Sequence, residues 1–287
     1  MSTELPPWEK VLWKRQPYPD NYIPEGALES SLRKNPNFRP YTYWPLVHLS
    51  TPLTQHLATI FIFICIFVRL KDHSLDPRVL IFSSLGSFFV GYILWEILRY
   101  TQSPSHNIHG SVKTLKSSIL IFLALMSLSP VLRTLSAATS SDSIWALSAC
   151  LFILNILLAD YGSSNPVLLF SSRLTSVLSM NAAISSSVVL ASRLSNDLAV
   201  FALIQFSVQS FTLFPMLRRR LQLQAILTFA LSISSLVLAA PLSSTIAFLF
   251  LFVLLAVTFL APAVLVWAQK YKNEIRGPWD VAIPKVN

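Results

Sequence analysis

Few side chains in this sequence have the type and spacing for chemistry, and those that do sit at the edges of long apolar runs or within them. Ionisable groups in such runs are costly, so they are the first functional candidates. Asp160 and Arg173 bracket one short connection. They either pair across it or leave Arg173, with its planar fork of donors, to meet a lipid phosphate. Glu96 stands three residues before Arg99, helical neighbours suited to a local ion pair at a membrane surface. Asn181, Gln205 and Gln209 fall at mid-run depth, where side-chain amides hydrogen-bond between helices.

Groupings that would support catalysis are thin. His106 and His109 have a spacing compatible with a metal but lie in a polar loop with no further ligand, so neither metal nor cofactor is expected. The six glycines form neither a GxGxxG turn nor a Gly-rich phosphate loop. Asp72 and Asp76 follow the first apolar run, where multi-pass glycosyltransferases using lipid-linked sugars carry an acidic residue. The loops here are too short to build an acceptor site.

The elements that must position these groups are membrane helices. The chain has 287 residues, 53% of them hydrophobic and 12% charged. Its mean hydropathy is +0.58. That composition excludes an ordinary soluble domain. Eight apolar runs approach spanning length: Leu53 to Leu70, Val79 to Leu98, Lys116 to Leu132, Ser143 to Asp160, Leu174 to Ser192, Leu198 to Leu217, Leu221 to Ala240 and Ser244 to Ala268. The fold class is therefore an all-α polytopic membrane bundle of about eight transmembrane helices. Cys65 and Cys150 both lie in apolar runs and read as small buried residues.

The net charge of +9 comes from short basic clusters between the runs. Seventeen of the 22 basic residues fall on one side of an eight-span arrangement, so the positive-inside rule makes both termini cytosolic. Membrane topology thus accounts for the charge, and nucleic acid is not expected as a partner. Residues 1–52 form an aromatic, basic, Pro-rich arm, 53–268 the transmembrane domain and 269–287 a cytosolic tail. A loop of roughly 17 residues surrounds Gln102 to Gly110. The stretch from Asp160 to Arg193 is rich in Ser, Ala and Asn, which let helix backbones approach, so we place it at the centre of the bundle.

Motifs spread along the chain carry a resemblance. They begin with Trp8 and the run Arg15-Gln16-Pro17-Tyr18-Pro19-Asp20-Asn21-Tyr22, then Ser129-Pro130-Val131-Leu132, Asp160-Tyr161-Gly162 and Leu178-Ser179-Met180-Asn181. Ala191-Ser192-Arg193-Leu194, Phe214-Pro215-Met216-Leu217 and Gly277-Pro278-Trp279-Asp280 follow in order. The chain resembles the PIG-C family, a group of membrane subunits of the phosphatidylinositol N-acetylglucosaminyltransferase (GPI-GlcNAc transferase). The resemblance implies an endoplasmic-reticulum membrane protein in the complex that moves GlcNAc from UDP-GlcNAc to phosphatidylinositol, the first step of GPI-anchor synthesis. It implies a separate PIG-A-type catalytic subunit, with PIG-H, PIG-P and PIG-Q-type subunits as further partners. The Gln102 to Gly110 loop matches nothing in the family pattern.

The chain is then expected to be a non-catalytic subunit. In one version Trp8, Arg15, Pro17, Tyr18, Asp20, Asn21 and Tyr22 in the arm, with Gly277, Pro278, Trp279 and Asp280 in the tail, bind partner subunits. In the other, Arg173 and the following helix admit a phosphatidylinositol headgroup, with Asp160 or Asn181 on the inositol hydroxyls. Tyr161 and Arg193 join them as candidate lipid-binding or bundle-core groups. A multi-pass transporter of small solutes or lipids is the alternative; scarce charge in the membrane interior stands against it.

Overall fold

The computed structural model describes residues 15–19, 22, 33–34, 40–102, 108–134, 140–161, 169–221, 224–269 and 275–276. The chain divides into two units, residues 1–43 with 263–287, and Trp44–Pro262. Helices make up almost all of the described residues: α1 (Tyr43–Lys71), α2 (Pro77–Gln102), α3 (Ile108–Thr134), α4 (Ser141–Leu158) and α5 (Leu169–Ala191). The remaining ones are α6 (Asp197–Arg218), α7 (Gln224–Ala239) and α8 (Ser244–Ala268). Each of the eight apolar runs falls largely on one of these helices. Among the described residues, α1, α2, α4, α6 and α8 are long and apolar enough to cross a membrane, and the apolar parts of α3, α5 and α7 are shorter.

Three helix starts differ from the sequence reading by more than four residues. Helix α1 starts at Tyr43 rather than Leu53, α3 starts at Ile108, inside the stretch read as a long loop, and α5 starts at Leu169 rather than Leu174. The first difference comes from proline. Pro52 lies within α1 and lacks the N–H that would bond the His48 carbonyl, yet the Thr51 hydroxyl donates to that carbonyl at 2.8 Å. Pro130 in α3 is handled the same way: Ser129 Oγ donates to Met126 O at 3.1 Å. Two further prolines are each preceded by a wider π-helical turn, Gln209–Leu213 before Pro215 in α6 and Ala256–Leu260 before Pro262 in α8. Such turns relieve the ring's clash with the preceding turn without ending the helix.

The helices of Trp44–Pro262 centre on α1 and α6. Within their most apolar windows, 61% of α1 and 44% of α6 is buried, against 11% for α2 and 17% for α8. Phe63 of α1 is fully buried and makes edge-on contacts with Phe152 of α4 and Phe211 in the π turn of α6, 5.8 and 5.4 Å between centroids. The Ser-rich stretch expected at the centre supplies Ala183, Leu190 and Ala191 of α5 to the same buried cluster. Small residues bring α5 against α4, where Ser148 and Ser186 share a 2.8 Å hydroxyl contact, but one face of α5, with Val177, Leu178, Asn181 and Ser185, is exposed. Bulky aromatic side chains fill the centre because they remove the most apolar area from the surroundings.

Turns and caps fix the helix ends. Asp76 accepts the Arg78 N–H at 2.8 Å and caps α2, so this acidic residue serves the backbone. Asn196 caps α6 by accepting from Leu198 N at 3.0 Å. His73, at φ 55°, closes α1 in the left-handed region, with Ser74 N donating to Arg69 O. Cys65 is buried as expected. Cys150 is exposed, because its position on α4 faces away from the neighbouring helices.

In the smaller unit, Tyr18 stacks on Tyr22 with centroids 4.3 Å apart, and Tyr22 N donates to Pro19 O at 2.9 Å. Tyr22 is thus brought back beside Tyr18. Arg33–Lys34 pairs antiparallel with Ile275–Arg276, so the arm and the tail join as a two-residue ladder.

Candidate functional site

A single turn of α1, Pro52 to His56, gathers polar contacts from four other helices. Thr54 Oγ1 meets Thr258 Oγ1 of α8 at 2.9 Å. Gln55 is fully buried and donates from Nε2 to Gln224 O, Gln224 Oε1 and Thr228 Oγ1 of α7, at 3.0, 3.0 and 2.8 Å. Arg218, at the end of α6, donates from Nη1 to Pro52 O at 2.9 Å. His56 reaches Asn155 of α4 and Tyr161 just beyond it. Polar groups buried in a bundle hold helices in register because each would be costly if left unpaired.

The histidine sits in a directed chain of hydrogen bonds. Asn155 Nδ2 donates to Ser179 O and Ser179 Oγ of α5 at 2.9 and 2.8 Å, which turns Asn155 Oδ1 toward His56 Nε2 at 2.7 Å. Nε2 therefore carries a proton. Nδ1 lies 2.8 Å from the Tyr161 hydroxyl, which is also 3.0 Å from Ile156 O. The one phenolic O–H has two acceptors in reach: the Nδ1 of a neutral His56 accepts its hydrogen bond, whereas a doubly protonated ring leaves it to Ile156 O. Burial pushes the Tyr161 phenol well above the ordinary tyrosine range, with the Arg218 charge opposing in part. Tyr161 is consequently a neutral donor at physiological pH.

Around this chain lies a row of three arginines at the end of α6. Arg218 is 8% exposed. Arg219 lies 3.7 Å from the Asp160 carboxylate and donates to Asp160 O at 3.2 Å. Arg220 stands over Trp95 of α2, 4.0 Å from the ring centroid, close enough for a cation–π contact.

The structure sorts the expected residues. Asp160 and Tyr161 belong to this cluster. Arg173 lies on α5, but its side chain is outside the described residues, as are those of Arg99 and His109. Asn181 is exposed on α5, and the interhelical amide on that contact is Asn155 instead. Arg193 is partly buried in the turn between α5 and α6, away from the row at the other end of α6. Gln209 does join helices, donating to Ser84 O and Ser87 Oγ of α2 at 2.9 and 2.8 Å. In the arm, Arg15 and Pro17 are exposed, and Tyr18 and Tyr22 stack on each other. Trp8, Asp20, Asn21, His106 and Gly277 to Asp280 lie outside the described residues.

His56, Asn155 and Arg218 were missed as candidates. The signal for His56 was present, since it is a titratable residue deep in an apolar run. Arg218 was read only as one of a basic cluster counted for topology. Nothing in the sequence separates it from Arg219 and Arg220.

Comparison with known proteins decides what kind of chain carries this cluster. The family described as phosphatidylinositol N-acetylglucosaminyltransferase matches residues 8–280. The chain belongs to the GPI2 family. It is 38% identical to the phosphatidylinositol N-acetylglucosaminyltransferase GPI2 subunit of Schizosaccharomyces pombe, over 98% of this chain and 87% of that one. A putative subunit of the same transferase from Dictyostelium discoideum is 36% identical, over 96% and 79% of the two chains. The corresponding transferase subunit of Homo sapiens is 34% identical, over 98% and 94%. No solved structure matches. Several of the motifs that carry the resemblance lie in the cluster. Asp160-Tyr161 supplies the Arg219 and His56 partners, Ser179 holds Asn155, and Phe214-Pro215 follows the π turn that leads into Arg218.

Proposed function

We propose that this chain is a non-catalytic membrane subunit of the complex that transfers GlcNAc from UDP-GlcNAc to phosphatidylinositol, in the endoplasmic-reticulum membrane at the first step of GPI-anchor synthesis. The observation that carries the reading is the match over nearly the full chain to relatives named as subunits of that transferase. The polar chemistry of the bundle agrees with it. His56, Asn155, Tyr161 and Ser179 are engaged with one another between helices, and the Asp160 carboxylate is engaged by Arg219.

In this reading the arm and the tail are the partner-facing parts. Their pairing through Arg33–Lys34 and Ile275–Arg276 supports an even number of crossings with both ends on one side, which the basic residues assign to the cytosol. The stacked Tyr18 and Tyr22 rings offer aromatic area a few residues from exposed Arg15, a pairing of types common in binding hot spots. Its partners are a PIG-A-type catalytic subunit and PIG-H, PIG-P and PIG-Q-type subunits. The bundle presents phosphatidylinositol to them.

The test is GlcNAc transfer from UDP-GlcNAc to phosphatidylinositol in membranes lacking this chain, with association of the other subunits followed in parallel. Transfer is expected to fall and the remaining subunits to separate. Unchanged transfer overturns the assignment, and lost transfer in a complex that stays together rejects the scaffold role. Restoring the chain with Tyr22→Ala is expected to weaken subunit association while the bundle remains folded.

A further inference from the structure

The geometry points to a phosphate-binding site at Arg218, which takes the phosphodiester of an anionic phospholipid headgroup. This rests on the reading that the chain presents an inositol lipid, and it shifts the phosphate-holding role from Arg173 to Arg218.

The charge of Arg218 is buried, and among the described residues it has no carboxylate within ion-pair distance. The side chain is 8% exposed and donates one hydrogen bond, from Nη1 to Pro52 O. An arginine has five donors in a fixed fork, so most of its capacity finds no acceptor among the described residues. The carboxylate of the cluster, Asp160, is engaged by Arg219. Tyr161 stays protonated beside it, and Arg219 adds a second positive charge. Taking a cation out of water is unfavourable unless an opposite charge and good hydrogen bonds compensate, and here that opposite charge is missing.

Helix capping does not account for the placement. The last carbonyl of α6 already has donors: Gln224 Nε2 bonds Arg218 O at 3.1 Å, and Leu221 N bonds it at 3.2 Å. Arg218 is therefore not needed to cap its own helix, and its fork turns to α1 instead.

The ligand must bring negative charge and at least two acceptor oxygens in one plane, which a phosphodiester does. Its level follows from the neighbours. Arg219 is 54% exposed and marks the open side of the row, while Arg220 rests on Trp95, a residue type that sits at the headgroup layer. A lipid phosphate lies at that depth, and soluble phosphate is the other source of the same chemistry.

The test uses the full chain purified with its complex in detergent, with three probes: phosphatidylinositol, phosphatidylcholine and inorganic phosphate. Phosphatidylinositol is expected to bind wild type and raise its Tm more than phosphatidylcholine does. Binding is expected to fall at least tenfold in Arg218→Gln, and to fall less in Arg218→Lys, which keeps the charge without the fork. Inorganic phosphate that binds as tightly as the lipid shows a soluble phosphate as the source and overturns the lipid assignment. Arg218→Gln that binds phosphatidylinositol like wild type overturns the site, even when the complex stays assembled, and leaves the scaffold reading standing. Wild type that binds the lipid but copurifies with no other subunit removes the scaffold reading and leaves the site. Should Arg218→Gln not fold, wild type decides: no stabilisation by phosphatidylinositol over phosphatidylcholine overturns the proposal.

Discussion

Asn155 and Ser179 bond each other in both directions: Asn155 Nδ2 donates to Ser179 Oγ at 2.8 Å, and Ser179 Oγ donates to Asn155 O at 2.8 Å. Both residues are buried, so this reciprocal pair locks α4 to α5 and aims Asn155 Oδ1 at His56. Asn155→Leu leaves His56 and Ser179 with unpaired polar atoms in an apolar setting. We expect a loss of about 1–3 kcal/mol in stability. A Tm fall in detergent checks it, and an Asn155→Leu/Ser179→Ala double variant is expected to lose less than the sum of the singles.

Close packing of α4 on α5 makes a sharper test, because neighbouring serines face opposite ways. Ser186 is fully buried against Ser148, whereas Ser185 is exposed. Ser186→Leu overfills the contact and is expected to cost about 1–3 kcal/mol. Ser185→Leu is expected to be near neutral, and equal effects on Tm would contradict the packing.

Proline compensation in α3 predicts a rescue. Ser129→Ala leaves Met126 O without the donor that replaces the one Pro130 lacks, at a cost of about 1 kcal/mol. Adding Pro130→Ala returns a backbone N–H to that carbonyl. The double variant is expected to recover the Tm lost in the single one.

For Tyr161 the sign of the pH dependence is fixed by its raised pKa. The fold favours the neutral phenol, so its contribution is complete below the ordinary tyrosine value of about 10 and is lost as pH rises beyond it. Tyr161→Phe removes the hydroxyl beside His56 Nδ1, and the stability it costs is expected to be the same at pH 8 and pH 9 and to shrink above about pH 10. A cost that does not shrink above that pH would contradict the raised pKa.

Arg219 and Arg218 are adjacent in sequence but differ in what removing them costs. Arg219 is more than half exposed, so its pair with Asp160 is screened by solvent, and Arg219→Ala is expected to change stability by under about 1 kcal/mol. Thermal melts of Arg219→Ala check this, and a large loss would show that the pair is not screened.

Apolar runs, basic clusters and motifs in the sequence determined that the chain is a helical membrane protein of the GPI2 family, because hydropathy and local motif order are written one residue at a time. Helix placement followed as well, except where Thr51 and Pro52 let α1 run back to Tyr43, where α3 begins at Ile108, inside the expected loop, and where α5 begins at Leu169. Side chains that meet across the bundle were decided only by the tertiary structure. His56, Asn155 and Arg218 are 63 to 162 residues apart in the chain and come together through helix packing. Apolar periodicity could not choose which face of α5 is buried, so Asn181 read as a core residue is exposed and Ser179, two positions earlier, is buried. A run of three arginines carries the same charge at every position; only the direction of each side chain from the end of α6 sends Arg218 inward and leaves Arg219 outside.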